Sequence, residues 1–156
     1  MKLTLLWPRS TADGELAGVA ERYVNRIKHF VPIEIIEVAP RRGGQNESDV
    51  AIMRAHSALL LGAIPAQGHV VALDERGRSI DSLKFAKWLE RLTIDQPHGV
   101  IFVMGGDVGL DQSVRQRADD VLSLSAMTLP HQLARVVLLE QIYRACTLMR
   151  NIPYHK

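Results

Sequence analysis

The chain has 156 residues, 47% hydrophobic and 23% charged, with 19 Lys/Arg against 17 Asp/Glu and a net charge of +2. Its length fits one domain spanning 1–156, able to bury roughly 70% of the surface its unfolded form exposes. A charge this small does not announce a nucleic-acid binder, no apolar run reaches the ~18 residues of a membrane-spanning helix, and one cysteine excludes an intrachain disulfide.

Strand and helix signals alternate along the chain. Lys2–Trp7 (KLTLLW) reads as a strand. Residues Met1–Arg9 are too short an apolar stretch for a signal peptide and lack a small-residue cleavage site, so the cytosol is the expected compartment. Asp13–Phe30 reads as an amphipathic helix, with Leu16, Val19, Ala20, Tyr23, Ile27 and Phe30 at helical spacing. Ile33–Ala39 is a strand bounded by Pro32 and Pro40, Arg41–Asn46 (RRGGQN) a loop, and Glu47–Ala63 a second helix. Gly68–Asp74 is a third strand, Ser82–Leu92 a third helix and Gly99–Met104 a fourth strand. Asp111–Ala118 reads as a short helix capped by Asp111, Val121–Ser125 as a fifth strand, and Pro130–Arg150 as a long last helix with proline in its first turn. This order predicts an α/β fold whose mostly parallel sheet carries helices on both faces.

In the last helix Val136, Val137, Leu138 and Leu139 are consecutive. Four residues sweep about 400° around a helix axis. A helix apolar on all sides is buried on more than one, so a homodimer using this helix is expected.

Ligands of open parallel sheets bind beyond the carboxyl ends of the strands. Three distinctive loops fall there: Leu73-Asp74-Glu75-Arg76-Gly77, Gly105-Gly106-Asp107-Val108-Gly109-Leu110, and Ser123 to His131. The second has the spacing GGxxG, which is neither the dinucleotide GxGxxG nor a P-loop; such a cluster serves a tight turn or a close ligand approach equally well. The third mixes hydroxyl residues with Leu124, Met127 and Leu129, which suits an adenine ring between apolar walls or an ordinary strand-to-helix connection. His29, His56, His69 and His98 show no ligand spacing, and with one cysteine no metal site is expected. Cys146 reads as a small buried hydrophobe.

Charge is unevenly spread. Residues 1–120 hold 15 Lys/Arg against 16 Asp/Glu, whereas 121–156 hold Arg135, Arg144, Arg150 and Lys156 against Glu140 alone. A basic C-terminal segment fits a phosphate-bearing partner, and it equally fits favourable charge near a helix C-terminus.

The ordered series Gly105-Gly106…Gly109-Leu110, Leu122-Ser123-Leu124-Ser125-Ala126-Met127-Thr128-Leu129-Pro130-His131, Arg135-Val136, Glu140-Gln141-Ile142-Tyr143-Arg144-Ala145 and Pro153-Tyr154-His155-Lys156 resembles the bacterial ribosomal RNA large-subunit methyltransferase H family of the SPOUT superfamily. The resemblance covers the whole chain. It implies a SPOUT fold with a C-terminal trefoil knot, a homodimer, S-adenosyl-L-methionine (SAM) as cofactor, and methylation of N3 of a pseudouridine in 23S ribosomal RNA on the assembled ribosome. Matching positions would place the cofactor against Leu73, Gly105, Leu124, Ser125, Ala126, Met127, Thr128 and Leu129. Two departures stand out: Asp107-Val108 where the family commonly has Pro-Glu, and Trp7-Pro8-Arg9 where many relatives have a VGK-like turn.

An imide nitrogen such as N3 must lose its proton at or before attack, so a base or a cation is needed beside it. His131, Arg135, Tyr154 and His155 are the candidates; Arg135 as anion stabiliser and His155 as proton acceptor are the leading catalytic assignments. Arg144, Tyr154 and Lys156 are assigned to RNA binding. The alternatives are a SPOUT enzyme acting on transfer RNA and a non-enzymatic ribosome- or RNA-binding module.

Overall fold

The computed structural model describes residues 2–9, 14–39 and 46–154. Five parallel strands form one sheet in the order β2-β1-β4-β3-β5. They are β1 (Leu3–Pro8), β2 (Ile33–Val38), β3 (His69–Ser79), β4 (Val100–Met104) and β5 (Asp120–Ser123). The helices between and after them are α1 (Gly14–Ile27), α2 (Asp49–Ala63), α3 (Ser82–Asp95), α4 (Gln112–Arg117) and α5 (His131–Met149).

β1 and β4 are buried at every position, which is why LTLLWP and VIFVM read as continuous apolar runs rather than alternating ones. Successive side chains serve two cores. Leu3, Leu5, Trp7, Val71 and Phe102 pack with α1, α3 and α5 residues such as Ile27, Leu89, Leu138 and Ile142. Leu6, Val70, Ala72, Ile101 and Val103 pack with Leu60 of α2 and Val114 of α4. Three helices start on side-chain caps: Ser48 accepts from Ala51 N (3.2 Å), Asp81 from Lys84 N (2.8 Å), and Asp111 from Ser113 N (2.9 Å) and Val114 N (3.3 Å). Among the described residues no helix is long and apolar enough to cross a membrane.

Several element ends differ from the sequence expectation: α1 stops at Ile27 rather than Phe30, α2 starts at Asp49 rather than Glu47, α3 runs to Asp95 rather than Leu92, and two strands differ for identifiable reasons. β3 does not stop at Asp74 but runs to Ser79 through a bulge, so that Leu122 pairs both with Leu73 and with Arg78. Gly77 permits this: a Cβ there would lie 2.5 Å from the Leu122 carbonyl carbon. β5 begins one residue early because Asp120 pairs with Val71 while its carboxylate holds His69 Nε2 (2.8 Å) and Arg78 Nη2 (3.0 Å). It ends at Ser123, whose hydroxyl donates to Ser125 O (2.9 Å) and turns the chain.

In α5 the four-residue apolar run is divided. Leu138 and Leu139 are fully buried in the chain's own core, and only Val136 and Val137 remain half-buried, on the outward side with Leu133. After α5, Asn151 takes a left-handed φ of 54°, and Ile152 N donates to Thr147 O (2.9 Å), closing the helix end and turning the chain back.

Candidate active site

The loops after β3, β4 and β5 enclose a cleft of about 910 Å³. This is toward the upper end of the range typical of small-molecule sites. Leu73, Met104 and Gly105 form its buried floor, and Leu124, Met127 and Leu129 a side wall. Of the cofactor residues expected from sequence, Leu73, Gly105, Leu124, Ser125, Met127, Thr128 and Leu129 line this one cleft; Ala126 belongs to the same loop but not to the lining.

Each wall is fixed locally. In the GGxxG loop Gly109 N donates to Gly106 O (3.0 Å) and Gly109 has φ 74°. A Cβ on Gly105 would lie 2.5 Å from the Gly109 carbonyl carbon and oxygen. Gly105 is therefore required by the fold of its own loop, which is the tight-turn reading of the two that the sequence left open. In the β5–α5 loop Ser125 Oγ accepts from Met127 N (2.9 Å), which leaves Met127 78% exposed over the cleft.

Two ion pairs brace the site. Arg115 of α4 donates to Asp74 Oδ2 (3.0 Å) and to Leu110 O (2.8 Å), tying the loop after Leu73 to α4. Asp107 Oδ1 lies 2.6 Å from His131 Nδ1, tying the glycine loop to the start of α5. No sequence period pairs Asp107 with His131, because the two residues meet only once β4 and α5 are folded together. Sequence reading also missed α2: Val50, Met53 and Arg54 form the wall opposite the β5–α5 loop. Nothing in helical periodicity says which face of α2 meets a cleft.

Arg135 lies one turn into α5 and is 8% exposed. Its Nη2 donates to Pro8 O (2.6 Å), its guanidinium lies over the Trp7 ring at 4.9 Å, and its buried Nε has no hydrogen-bond partner among the described residues. Burial lowers its pKa, opposed by the charges of Glu37 and Asp107. It is not among the residues lining the cleft; it is a buried cation on an aromatic ring.

Arg144 and Tyr154 come together, but away from the cleft. Arg144 pairs with Glu140 (Nε to Oε1 3.0 Å), Tyr154 donates to the same carboxylate (3.2 Å), and the guanidinium lies 4.8 Å from the Tyr154 ring centroid. The Tyr143 and Tyr154 rings are 4.9 Å apart, edge to face. The hydrogen bond to Glu140 raises the Arg144 pKa, and burial together with Tyr23 and Glu140 raises that of Tyr154. Thirteen residues separate Arg144 from His131, roughly 20 Å along the helix. His155 and Lys156 lie outside the described residues. Among the described residues no group of three His, Cys, Asp or Glu is placed to hold a metal ion.

The family model described as "Predicted SPOUT methyltransferase" matches residues 1–155. The chain belongs to the SPOUT methyltransferase family. Among curated proteins it is 43% identical over 155 residues to ribosomal RNA large subunit methyltransferase H of Syntrophotalea carbinolica, covering 99% of each chain. It is 39% identical to the protein of that name from Trichlorobacter lovleyi, again over 99% of each. Among solved structures, a probable methyltransferase from Bordetella pertussis aligns with a TM-score of 0.56 at 20% identity over 93% of both chains. A probable methylase family protein from Haemophilus influenzae aligns with a TM-score of 0.57 at 11% identity, covering 99% of this chain and 70% of that one. These structures agree with it in fold.

SPOUT methyltransferases take their methyl group from SAM. The cleft's make-up fits that cofactor: Leu73, Met104, Leu124 and Leu129 offer apolar walls for an adenosine, beside the glycine loop Gly105–Gly109.

Proposed function

We propose that this SPOUT methyltransferase acts on RNA, and that it methylates N3 of a pseudouridine in 23S ribosomal RNA on the assembled ribosome, in the cytoplasm. The observation carrying this reading is the full-length match to proteins named ribosomal RNA large subunit methyltransferase H, combined with seven of the eight expected cofactor positions lining one cleft. Leu73, Gly105 and the loop Leu124–Leu129, Ala126 included for its backbone, hold the cofactor. When bound, SAM supplies an electrophilic methyl group on a sulfonium. The protein's own task is to hold the acceptor base in line and to take up its N3 proton.

His155 accepts that proton, and Arg135 supplies positive charge behind the glycine loop. Arg144, Tyr154 and Lys156 contact RNA. Since Arg144 lies some 20 Å along α5 from the cleft, a homodimer in which one chain's tail reaches its partner's cleft accounts for both groups acting on one nucleotide. The outward stripe Leu133, Val136 and Val137 supports such an interface. The resemblance further implies a trefoil knot in the C-terminal part of the chain, which belongs to the same proposal.

The test is a methyl-transfer assay comparing transfer RNA, protein-free 23S RNA and whole ribosomes, with mass spectrometry of the product nucleoside. Methyl-pseudouridine from ribosomes is expected. Transfer to transfer RNA alone would favour a different SPOUT substrate, and absence of SAM binding by calorimetry would leave only an RNA-binding role.

A further inference from the structure

Charge accounting in the cleft leaves two arginines and one glutamate over. Asp74 is neutralised by Arg115 at 3.0 Å, and Asp107 by His131 at 2.6 Å when that ring is protonated. Asp111 is engaged as the cap of α4, accepting from two backbone N–H groups. The remaining charged side chains of the lining are Glu75, Arg54 and Arg76. Both arginines are exposed, and among the described residues neither guanidinium pairs with a carboxylate.

Their placement follows from the topology. α2 runs back from the carboxyl end of β2, so its N-terminal turns border the carboxyl ends of the strands, and Arg54 sits there beside Val50 and Met53. Arg76 lies in the β3 bulge that begins after Leu73, its backbone N–H held by Asp74 Oδ1 (2.9 Å). That bond and the Asp74–Arg115 pair fix the backbone of the bulge, so Arg76 projects from a braced support. Both arginines thus lie on the exposed lining of the cleft, Arg54 on α2 and Arg76 in the bulge that follows Leu73.

We infer that Arg54 and Arg76 form a phosphate-binding subsite for the RNA backbone next to the acceptor nucleotide. This rests on the reading of the cleft as an RNA methyltransferase site. A base delivered into the cleft brings its flanking phosphates to the cleft rim, and the cleft volume leaves room for a nucleotide beside the cofactor. Guanidinium groups match phosphate oxygens in pairs.

The test measures binding of the full chain to 70S ribosomes and to protein-free 23S RNA across a potassium chloride series. The chains compared are the native one, Arg54→Gln, Arg76→Gln, the double variant, and Arg91→Gln as a charge control on the exposed surface of α3. Calorimetry follows SAM affinity in parallel. Each single substitution is expected to lower the log–log salt slope by about one unit and the double by about two. Arg91→Gln should leave the slope unchanged, and SAM affinity should stay constant throughout. Unchanged slopes in the two single variants on both RNAs overturn the subsite while leaving the methyltransferase reading intact. A fall in SAM affinity with unchanged slopes assigns the arginines to the cofactor's carboxylate and also overturns it. A native chain that binds neither RNA overturns the subsite and the RNA reading together.

Discussion

Asp107 Oδ1 lies 2.6 Å from His131 Nδ1, so the glycine loop after β4 is clasped to the first residue of the last helix. Asp107 is 87% exposed by its side chain and His131 only 18%, so the pair adds little to global stability. It does join two walls of the cleft. Asp107→Asn is therefore expected to weaken SAM binding several-fold, with a melting temperature within about 2 °C of the native chain. Calorimetry and a thermal melt check this; unchanged SAM affinity would show that the walls hold their places without the clasp.

The glycine loop separates two adjacent residues. A Cβ on Gly105 meets Gly109 backbone at 2.5 Å, whereas one on Gly106 meets only Pro8 Cγ at 3.7 Å. Gly105→Val should displace the loop and lower SAM affinity by roughly tenfold or more, about 1.4 kcal/mol. Gly106→Ala should bind SAM almost normally. Equal affinities in the two variants would remove the loop from the cofactor site.

Position along α5 decides what a charge does. Leu138 is fully buried within the chain, so Leu138→Asp should cost at least about 3 kcal/mol and lower the melting temperature by roughly 10 °C. Val137 is only half-buried, and Val137→Asp should leave a folded chain that dissociates to a monomer. Light scattering and thermal melts distinguish the two effects. A native chain that is monomeric at micromolar concentration rules out the proposed dimer.

Deleting Tyr154 to Lys156 removes the ring packed 4.9 Å from Tyr143 and the hydrogen bond to Glu140; Tyr154 itself does not line the cleft. Methyl transfer should be abolished while SAM affinity and dimerisation persist. Normal methylation of ribosomes by the truncated chain would place the RNA contacts elsewhere.

Cys146 is 6% exposed, and burial raises its thiol pKa from 9.0 to about 11, with the charge of Arg150 acting in the opposite direction. The thiol should resist iodoacetamide at neutral pH in the folded chain and react readily in urea. Because the folded pKa is the higher one, the associated stability is fully present below pH 9.0 and is lost as pH rises toward about 11. Urea unfolding of native and Cys146→Ala chains across that window reads the difference. A native chain that loses no more stability than the variant would contradict the burial account.

The alternation of strands and helices was legible in the sequence because each element's periodicity is local. Apolar runs such as VIFVM declare a strand covered on both faces, and Asp111 declares the start of α4. The loops after Leu73, Met104 and Ser123 could be assigned to one end of the sheet because parallel strands place their carboxyl ends together. Tertiary structure alone decided the partners. Asp74 meets Arg115 across 41 residues of chain, and His69 meets Asp120 across 51, distances at which no sequence period operates. The division of Val136–Leu139 into two outward and two fully buried residues depended on how α5 lies against α1 and α3. The burial of Arg135 over Trp7 had the same origin, since an arginine on a helix reads as a surface residue until an aromatic ring and a carbonyl from a distant strand are brought beneath it. Local chemistry fixed which elements form; the packing of one element on another fixed which side chains each functional group faces.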